Sequence, residues 1–416
     1  MRWFWFTTFT LICSLLSVFF RQPLVLIGEL LLIDIFLTRK VRWFFWMPAT
    51  SRHFPGWLNF LFWIVFTIWI IRVLAIDSIT VHTPANKPQS QPGDNILISK
   101  IHFGPRLPMS AFGLSLPYFR LSGLSTIKRG DLLAYNFPEG DSVIAGMGSF
   151  SYYSLKRKRE TEKSTLLPKT IIRYRPVDRR DPEVSRCIGL PGDTIIINAD
   201  RYATVSAGFS PQAPAKGIAY NYLVEVRNRQ LPEELLTRLG LSSSEIQVLP
   251  GLGYLIPLQA DQVEQVRQRP EVIAVSVYLE EIGKGDYNIF PHDVRYPWNR
   301  DNFGPVIVPR KGDSIRLTLL NLCVYQRIIE VYEKNHLEIS QDQIFINGSS
   351  VDSYVFKKDY FFVLGDNRHH SRDSRHWGFL PEDHIIGKPA LIWFSATKFV
   401  GKPFSIYWNR IFNTPK

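Results

Sequence analysis

Between Gly56 and Ile76 the chain runs GWLNFLFWIVFTIWIIRVLAI, an apolar stretch broken only by Asn59 and Arg72. A helix of about 20 residues at ~1.5 Å each is as long as the hydrocarbon core of a bilayer is thick. In lipid every backbone N–H and C=O has to be bonded within the segment, so a transmembrane helix is the conformation left open to residues 56–76. Arg72 stands one turn from the end, where its stem can carry the charge to the interface.

Two further apolar runs precede it. Trp3 to Phe20 and Leu24 to Leu37, the second carrying Glu29 and Asp34, form a candidate helical hairpin within residues 1–40, joined at Arg21, Gln22 and Pro23. Residues 1–76 hold seven of the eleven Trp and twelve of the 29 Phe, which excludes a purely soluble protein. The segment Thr38 to Pro55 carries Arg39, Lys40, Arg42 and Arg52 and no acid, so the positive-inside rule places it in the cytoplasm and everything after residue 76 on the other side. A cleavable leader over residues 1–20 is the rival account, but the run ends in SVFFRQP without an Ala-x-Ala-like site.

The net charge is +12, of which +7 is spread over the 340 residues after Ile76, too diffuse for a nucleic-acid partner. Cys13, Cys187 and Cys323 are too few and too scattered for a disulfide framework and have no partner at metal-ligand spacing. After Asp77 short β-rich runs alternate with Gly, Pro and Asp, in NILISKIHFG, KRGDLLAYNFPEGD and SRCIGLPGDTIIIN, which predicts a mainly antiparallel β body. From Tyr220 to Glu281 the rhythm changes to β, α, β, β, α, β, with Pro232 at a helix start and Gly240 at a helix end, a split βαβ order. The expected organisation is a β core over 77–200, an α+β insertion over 201–345 and a second part of the core over 346–416. NLCVYQRIIEVYEKN predicts a helix and Asn347-Gly348 a hairpin turn. The basic stretches Lys156 to Arg159 and Arg173 to Arg180 are expected in solvated loops, with anionic headgroups as the alternative role.

Polar residues crowd together in GDNRHHSRDSRHWGFLPEDHIIGKP, Gly365 to Pro389. Charges this dense have to pair, and Asp373 with Arg375 and Arg368 can lock a turn. His369, His370, His376, Asp366 and Asp373 also offer ligand atoms for a metal-dependent hydrolase, although no His pair has helical i, i+4 spacing, and no metal is expected.

The set GDNRxxSxDSRxWGFxP, with RCIGLPGDT at Arg186 to Thr194 and GDNILISK at Gly93 to Lys100, resembles bacterial signal peptidase I over nearly the whole chain. The long insertion, the extra hydrophobic segments and the YxWNRDNFGPVIVPRKGD stretch are similar to forms from Bacteroidota. The resemblance implies a membrane-anchored serine endopeptidase that removes signal peptides at the outer face of the cytoplasmic membrane, its catalytic-type domain in the periplasm and no cofactor required. Its chemistry uses a Ser nucleophile and a Lys general base held neutral in an apolar pocket.

In that family the nucleophile falls nine residues before the Asp of the following Gly-Asp. Counting back from Asp94 reaches Ala85, with Asn86 next and Pro88 retained. The Lys of the family directly precedes the Arg of Arg-x-x-Gly-x-Pro-Gly-Asp, and here Ser185 precedes Arg186. A methyl group cannot attack a carbonyl, and an alcohol is no base near neutral pH. Thr83 matches a hydroxyl that assists the oxyanion hole, while Arg186, Asp366, Arg368, Ser371, Asp373 and Arg375 match the supporting frame. The expectation is an inactive homologue that binds signal peptides or exported preproteins, an active signal peptidase or the translocation machinery. The alternative is a working peptidase with a displaced nucleophile, Ser90 or Ser185.

Overall fold

The computed structural model describes residues 70–111, 114–144, 151–162, 172–198, 203–205, 217–227, 231–241, 245–396 and 405–415. The runs within residues 1–40 and the 56–76 span up to residue 69 lie outside the described residues. Among the described residues no helix is long and apolar enough to cross a membrane.

The chain divides into two compact units. One holds residues up to Ser78 together with Leu97–Ile127 and Ile386–Lys388. Within it Lys100 Nζ pairs with Asp77 at 2.9 Å and donates to the Arg72 carbonyl at 2.7 Å. The other unit holds Ile79–Ile96, Lys128–Ile385 and Pro389–Lys416, and with them every candidate site residue.

Strands β1 (Ile76–Thr80), β2 (Asp94–Ser99) and β3 (Leu132–Asn136) come first, followed by helix α1 (Tyr152–Glu162) and β4 (Pro182–Gly189). An α+β segment follows: β5 (Ala219–Val226), α2 (Glu233–Arg238), β6 (Gln247–Leu249), β7 (Gly253–Gln259), α3 (Ala260–Arg267) and β8 (Val272–Val277). Helix α4 (Leu322–Arg327), β9 (Tyr360–Leu364), α5 (Ser374–Trp377), β10 (Leu380–Pro381) and β11 (Ile385–Ser395) complete the set.

The architecture is mainly β. A seven-stranded sheet runs β1-β2-β11-β3-β4-β9-β10, so the strand with LLAYN and the strand with YFFVL flank β4 and are buried along their whole length. Runs without polar alternation are what a strand covered on both faces needs. Antiparallel pairing of β3 with β4 sets Leu133 opposite Ser185 and Tyr135 opposite Glu183, so residues 183 and 185 share a face.

The α+β segment forms its own antiparallel sheet in the order β6-β7-β5-β8. Alternate residues Tyr220, Tyr222 and Val224 join Leu235 on α2, Leu239 just past it, and Val263 and Val266 on α3 in one apolar cluster. Gly240 takes φ +68 just past α2, the left-handed conformation a helix end calls for. The segment ends near Val277. From Ile289 onward the chain belongs to a second cluster with Ile195, Phe303, Val308, Leu322, Tyr325 and Phe362, so the 201–345 stretch is shared between two cores.

The predicted helix at 321–335 is α4 continued by a π-helical turn over Ile328–Tyr332. The Asn-Gly turn joins Gln343–Ile346 to Ser349–Ser350, and both central residues are left-handed, Asn347 at φ 52 and Gly348 at φ 82. The basic stretches depart from expectation in part: Lys156, Arg173 and Arg179 are exposed, while Arg157 and Arg180 are drawn inward. Lys156 to Arg159 lie on α1, where Arg157 forks onto buried Glu139 with two 2.7 Å bonds. Arg180 is drawn inward to the Pro138 carbonyl at 2.9 Å and to His384 Nε2 at 2.7 Å. A buried acid holds Arg157, and a carbonyl and an imidazole hold Arg180; spacing alone does not reveal such partners.

Candidate active site

The segment from Thr83 to Ser90 has no regular strand or helix, and it is held in place from three sides. Asp94, fully buried, receives Arg410 through bonds of 2.6 and 3.1 Å and the Ser395 hydroxyl at 2.6 Å. Arg410 also reaches the Gln89 carbonyl at 3.3 Å, tying the end of the loop to the C-terminal segment. On a second side Lys87 Nζ lies 2.6 Å from Glu245 and donates to the Gly240 carbonyl at 3.1 Å, so the α+β segment grips the loop through a largely buried ion pair.

The third side is Asn86, 3% exposed. Its amide nitrogen donates to the Val184 carbonyl, and its oxygen accepts the Asp366 N–H at 3.2 Å. The Ala85 carbonyl accepts the Asn367 N–H at 2.9 Å. One side chain thus stitches the neighbour of Ala85 to the neighbour of Ser185 and to the Gly365-Asp366-Asn367 turn.

Ser185 is buried at 3% exposure, and its hydroxyl donates to the Val184 carbonyl at 2.7 Å while lying 3.0 Å from the Tyr135 hydroxyl. Both its bonds are used within the wall. Ala85 is half-buried. Ser90 is 1% exposed, and its hydroxyl has no hydrogen-bond partner. Thr83 is exposed.

The supporting residues form ion pairs around this centre. Arg186 forks onto Asp366 with bonds of 2.8 and 2.6 Å and donates to the Gly130 carbonyl at 2.7 Å. Asp373 accepts Arg375 through Nε at 2.9 Å and NH2 at 2.7 Å, and takes the Gly365 N–H at 3.0 Å. Burial alone would raise the Asp373 carboxyl, but the guanidinium outweighs it and holds the pKa below the usual carboxylate range. Arg368 joins this lock through its carbonyl, which accepts from Arg375, while its guanidinium lies over the Tyr220 ring at 5.7 Å. A side-chain role for Arg368 in the turn is therefore corrected to a backbone one. Ser371 explains Gly365: a Cβ there would stand 2.1 Å from the Ser371 hydroxyl and 2.6 Å from the Ala85 carbonyl.

Among the described residues no three His, Cys, Asp or Glu side chains are grouped to hold a metal ion. His369 Nδ1 accepts from the Asn221 N–H at 3.3 Å, and its Nε2 lies 3.1 Å from Asp301. His376 is half-buried, and desolvation pulls its pKa down to about 4.

A cavity of about 310 Å³ opens along Ile79, Thr80, Val81, His82 and Thr83, continues past Asn86 and Ser90, and is closed by Phe137, Asp181 to Val184 and Arg372. Its described lining contains no lysine. Sequence reasoning passed over Glu183 and Arg372. Glu183 could have been found from strand alternation, which places it on the same face as Ser185. Burial is the main cause that raises its pKa to about 7, against the attraction of Arg372. Nothing in the sequence spacing points to Glu245 as the partner of Lys87, since 158 residues separate them.

Residues 55–207 and 307–394 match the family model described as signal peptidase, peptidase S26, and the unmatched interval contains the α+β segment. The chain is 24% identical over 345 residues to a signal peptidase I of Buchnera aphidicola subsp. Baizongia pistaciae, covering 82% of this chain and 78% of that one. It is 39% identical over 70 residues to signal peptidase I of Haemophilus influenzae, covering 17% of this chain and 20% of the relative. Against signal peptidase I of Aquifex aeolicus it is 50% identical over 43 residues, 10% of this chain and 17% of the relative. The last two matches thus span only a fifth or less of those relatives' length.

Proposed function

This chain belongs to the signal peptidase, peptidase S26 family, and on that premise we propose that it is a membrane-anchored signal peptidase I homologue that does not cleave. We place its folded domain on the periplasmic side of the cytoplasmic membrane, where it binds extended segments of exported chains. The observation that carries this reading is the content of the two positions that Asn86 draws toward each other: a methyl at 85 and, at 185, a hydroxyl already committed to Val184 and Tyr135. Neither end can move a proton in acyl transfer. Binding needs no nucleophile. β1 is the terminal strand of its sheet, and a chain added along Ile79 to Thr83 would run past the cavity through main-chain hydrogen bonds.

A displaced nucleophile is the second reading, because Ser90 lies in the cavity wall with a hydroxyl that makes no bond. Two facts oppose it. That hydroxyl is enclosed, and the lysine nearest in sequence, Lys87, is paired with Glu245. Incubating the full chain in detergent with a preprotein decides between them. The expected result is binding without cleavage. Cleavage at the signal-peptide junction that disappears in Ser90→Ala or Ser185→Ala would overturn the non-catalytic reading.

A further inference from the structure

The cavity wall carries a carboxyl group with unfilled bonding capacity. Glu183 meets the Tyr135 hydroxyl at 3.5 Å and the Arg372 guanidinium at 3.8 Å. Both separations are well beyond the ~2.7 to 2.9 Å of a charge-assisted bond. Asp366 and Asp373, close by in the fold, each receive a guanidinium at 2.6 or 2.7 Å. Arg372 lines the same cavity, but its guanidinium lies over the Phe137 ring at 4.3 Å and does not close onto the carboxylate. The Ser90 hydroxyl on the same wall is also without a partner. The Glu183 carboxyl thus lines the cavity without a short charge-assisted bond from the fold.

We propose that this cavity receives a cationic side chain, lysine or arginine, from an extended segment lying along Ile79 to Thr83, with Glu183 as its counter-charge. The proposal rests on the extended-chain reading above and adds what the site selects. The volume suits a long side chain, and a methyl group would leave most of the cavity unfilled. The other charged and titratable groups facing Glu183 do not replace it. Asp181 is tied to Arg175 at 3.0 Å, Asp373 is committed to Arg375, and Tyr135 is a neutral phenol whose burial pushes its pKa up. His82 is exposed where the β1 edge lines the cavity.

Because burial lifts the Glu183 pKa to about 7, the carboxyl is partly protonated in the empty protein near neutral pH, and an incoming ammonium drives the proton off. Affinity for a cation therefore falls as pH drops below about 7. The test uses the full chain in detergent and dye-labelled extended peptides on an alanine background, with lysine or norleucine placed at each position in turn and read by fluorescence anisotropy. At one position lysine should bind at least tenfold tighter than norleucine at pH 8, and that preference should shrink about tenfold by pH 6. Glu183→Gln should abolish both the preference and its pH dependence. Norleucine binding as tightly as lysine at every position at pH 8, or a preference that survives in Glu183→Gln, would overturn the proposal while leaving the extended-chain reading intact. Failure of every peptide to bind overturns both.

Discussion

Replacing Arg375 by Met tests whether the ion pair behind the site is a structural necessity. The side chains of Asp373 and Arg375 are 0% and 2% exposed. The carboxylate takes Nε, NH2 and the backbone N–H of Arg375, together with the Gly365 N–H. Methionine fills a similar volume but removes the two charged donors and leaves an ion in a dry site. Stranding one partner of a buried pair costs about 3 to 5 kcal/mol. The Arg300 carbonyl, which accepts from NH1 at 3.0 Å, also loses its donor.

The dependence on pH separates this mechanism from a packing defect. In the native protein the Asp373 pKa lies below its unfolded value, so the pair's contribution is complete above about pH 4 and is lost as pH falls through the folded value. In Arg375→Met the same carboxyl is buried without a counter-charge, its folded pKa rises above the unfolded one, and the penalty grows as pH climbs past about 4. Urea unfolding in detergent, followed by the fluorescence of buried Trp377, should show a loss of about 3 to 5 kcal/mol at pH 7.5 that is smaller by more than about 1 kcal/mol at pH 4.5. Adding Asp373→Asn should recover part of the loss at pH 7.5. An equal loss at both pH values, or no recovery, would refute the charge argument.

Three further outcomes follow from the same structure. Gly365→Ala should destabilise by about 2 kcal/mol or more, and trimming Ser371 should not restore it, because the Ala85 backbone carbonyl also stands in the way at 2.6 Å; thermal melts of the single and double variants check this. His292 and His376 both have pKa values drawn down to about 4, chiefly by burial. Unfolded histidine takes a proton first, so stability present above about pH 6.5 should be lost toward pH 4 with a slope of up to about 1.4 kcal/mol per pH unit for each residue, and His376→Gln should flatten that slope in pH-dependent urea titrations. Lys87→Met should remove the ammonium that Glu245, 2% exposed, holds at 2.6 Å, and hydrogen exchange at residues 84–90 should accelerate. Unchanged exchange there would mean the ion pair does not hold the loop.

What the sequence made legible was whatever local chemistry dictates. Asn347-Gly348 forces a tight hairpin, Gly240 ends a helix, and the run from Tyr220 reads as a strand, and these features stand in the structure. Pairings across long separations were not legible. Arg157 was expected in water because a run of four basic residues usually is, yet Glu139 supplies a buried partner. Register explains the rest: the importance of Glu183 depends on its lying opposite Tyr135, on the face it shares with Ser185, which requires knowing which strands pair.

The same register argues against a simple restoration of chemistry. Ala85→Ser with Ser185→Lys would return an attacking hydroxyl and an amine to the positions the family resemblance assigns them. Side chains at 183 and 185 share a face, and the Tyr135 hydroxyl lies 3.0 Å from the Ser185 oxygen and 3.5 Å from Glu183. An amine at 185 would therefore stand beside a carboxyl that titrates near 7. An opposite charge within ~4 to 6 Å favours the charged form of both groups, so the new lysine would stay protonated, the carboxyl would ionise, and no base would exist. The double variant is accordingly expected to bind preprotein without cutting it, whereas adding Glu183→Leu should leave an apolar wall that depresses the lysine pKa and permits slow cleavage. Electrophoresis of a preprotein after long incubation reads both variants. Equal cleavage by the double and triple variants, or none by either, would show that Glu183 is not what separates this scaffold from a working dyad.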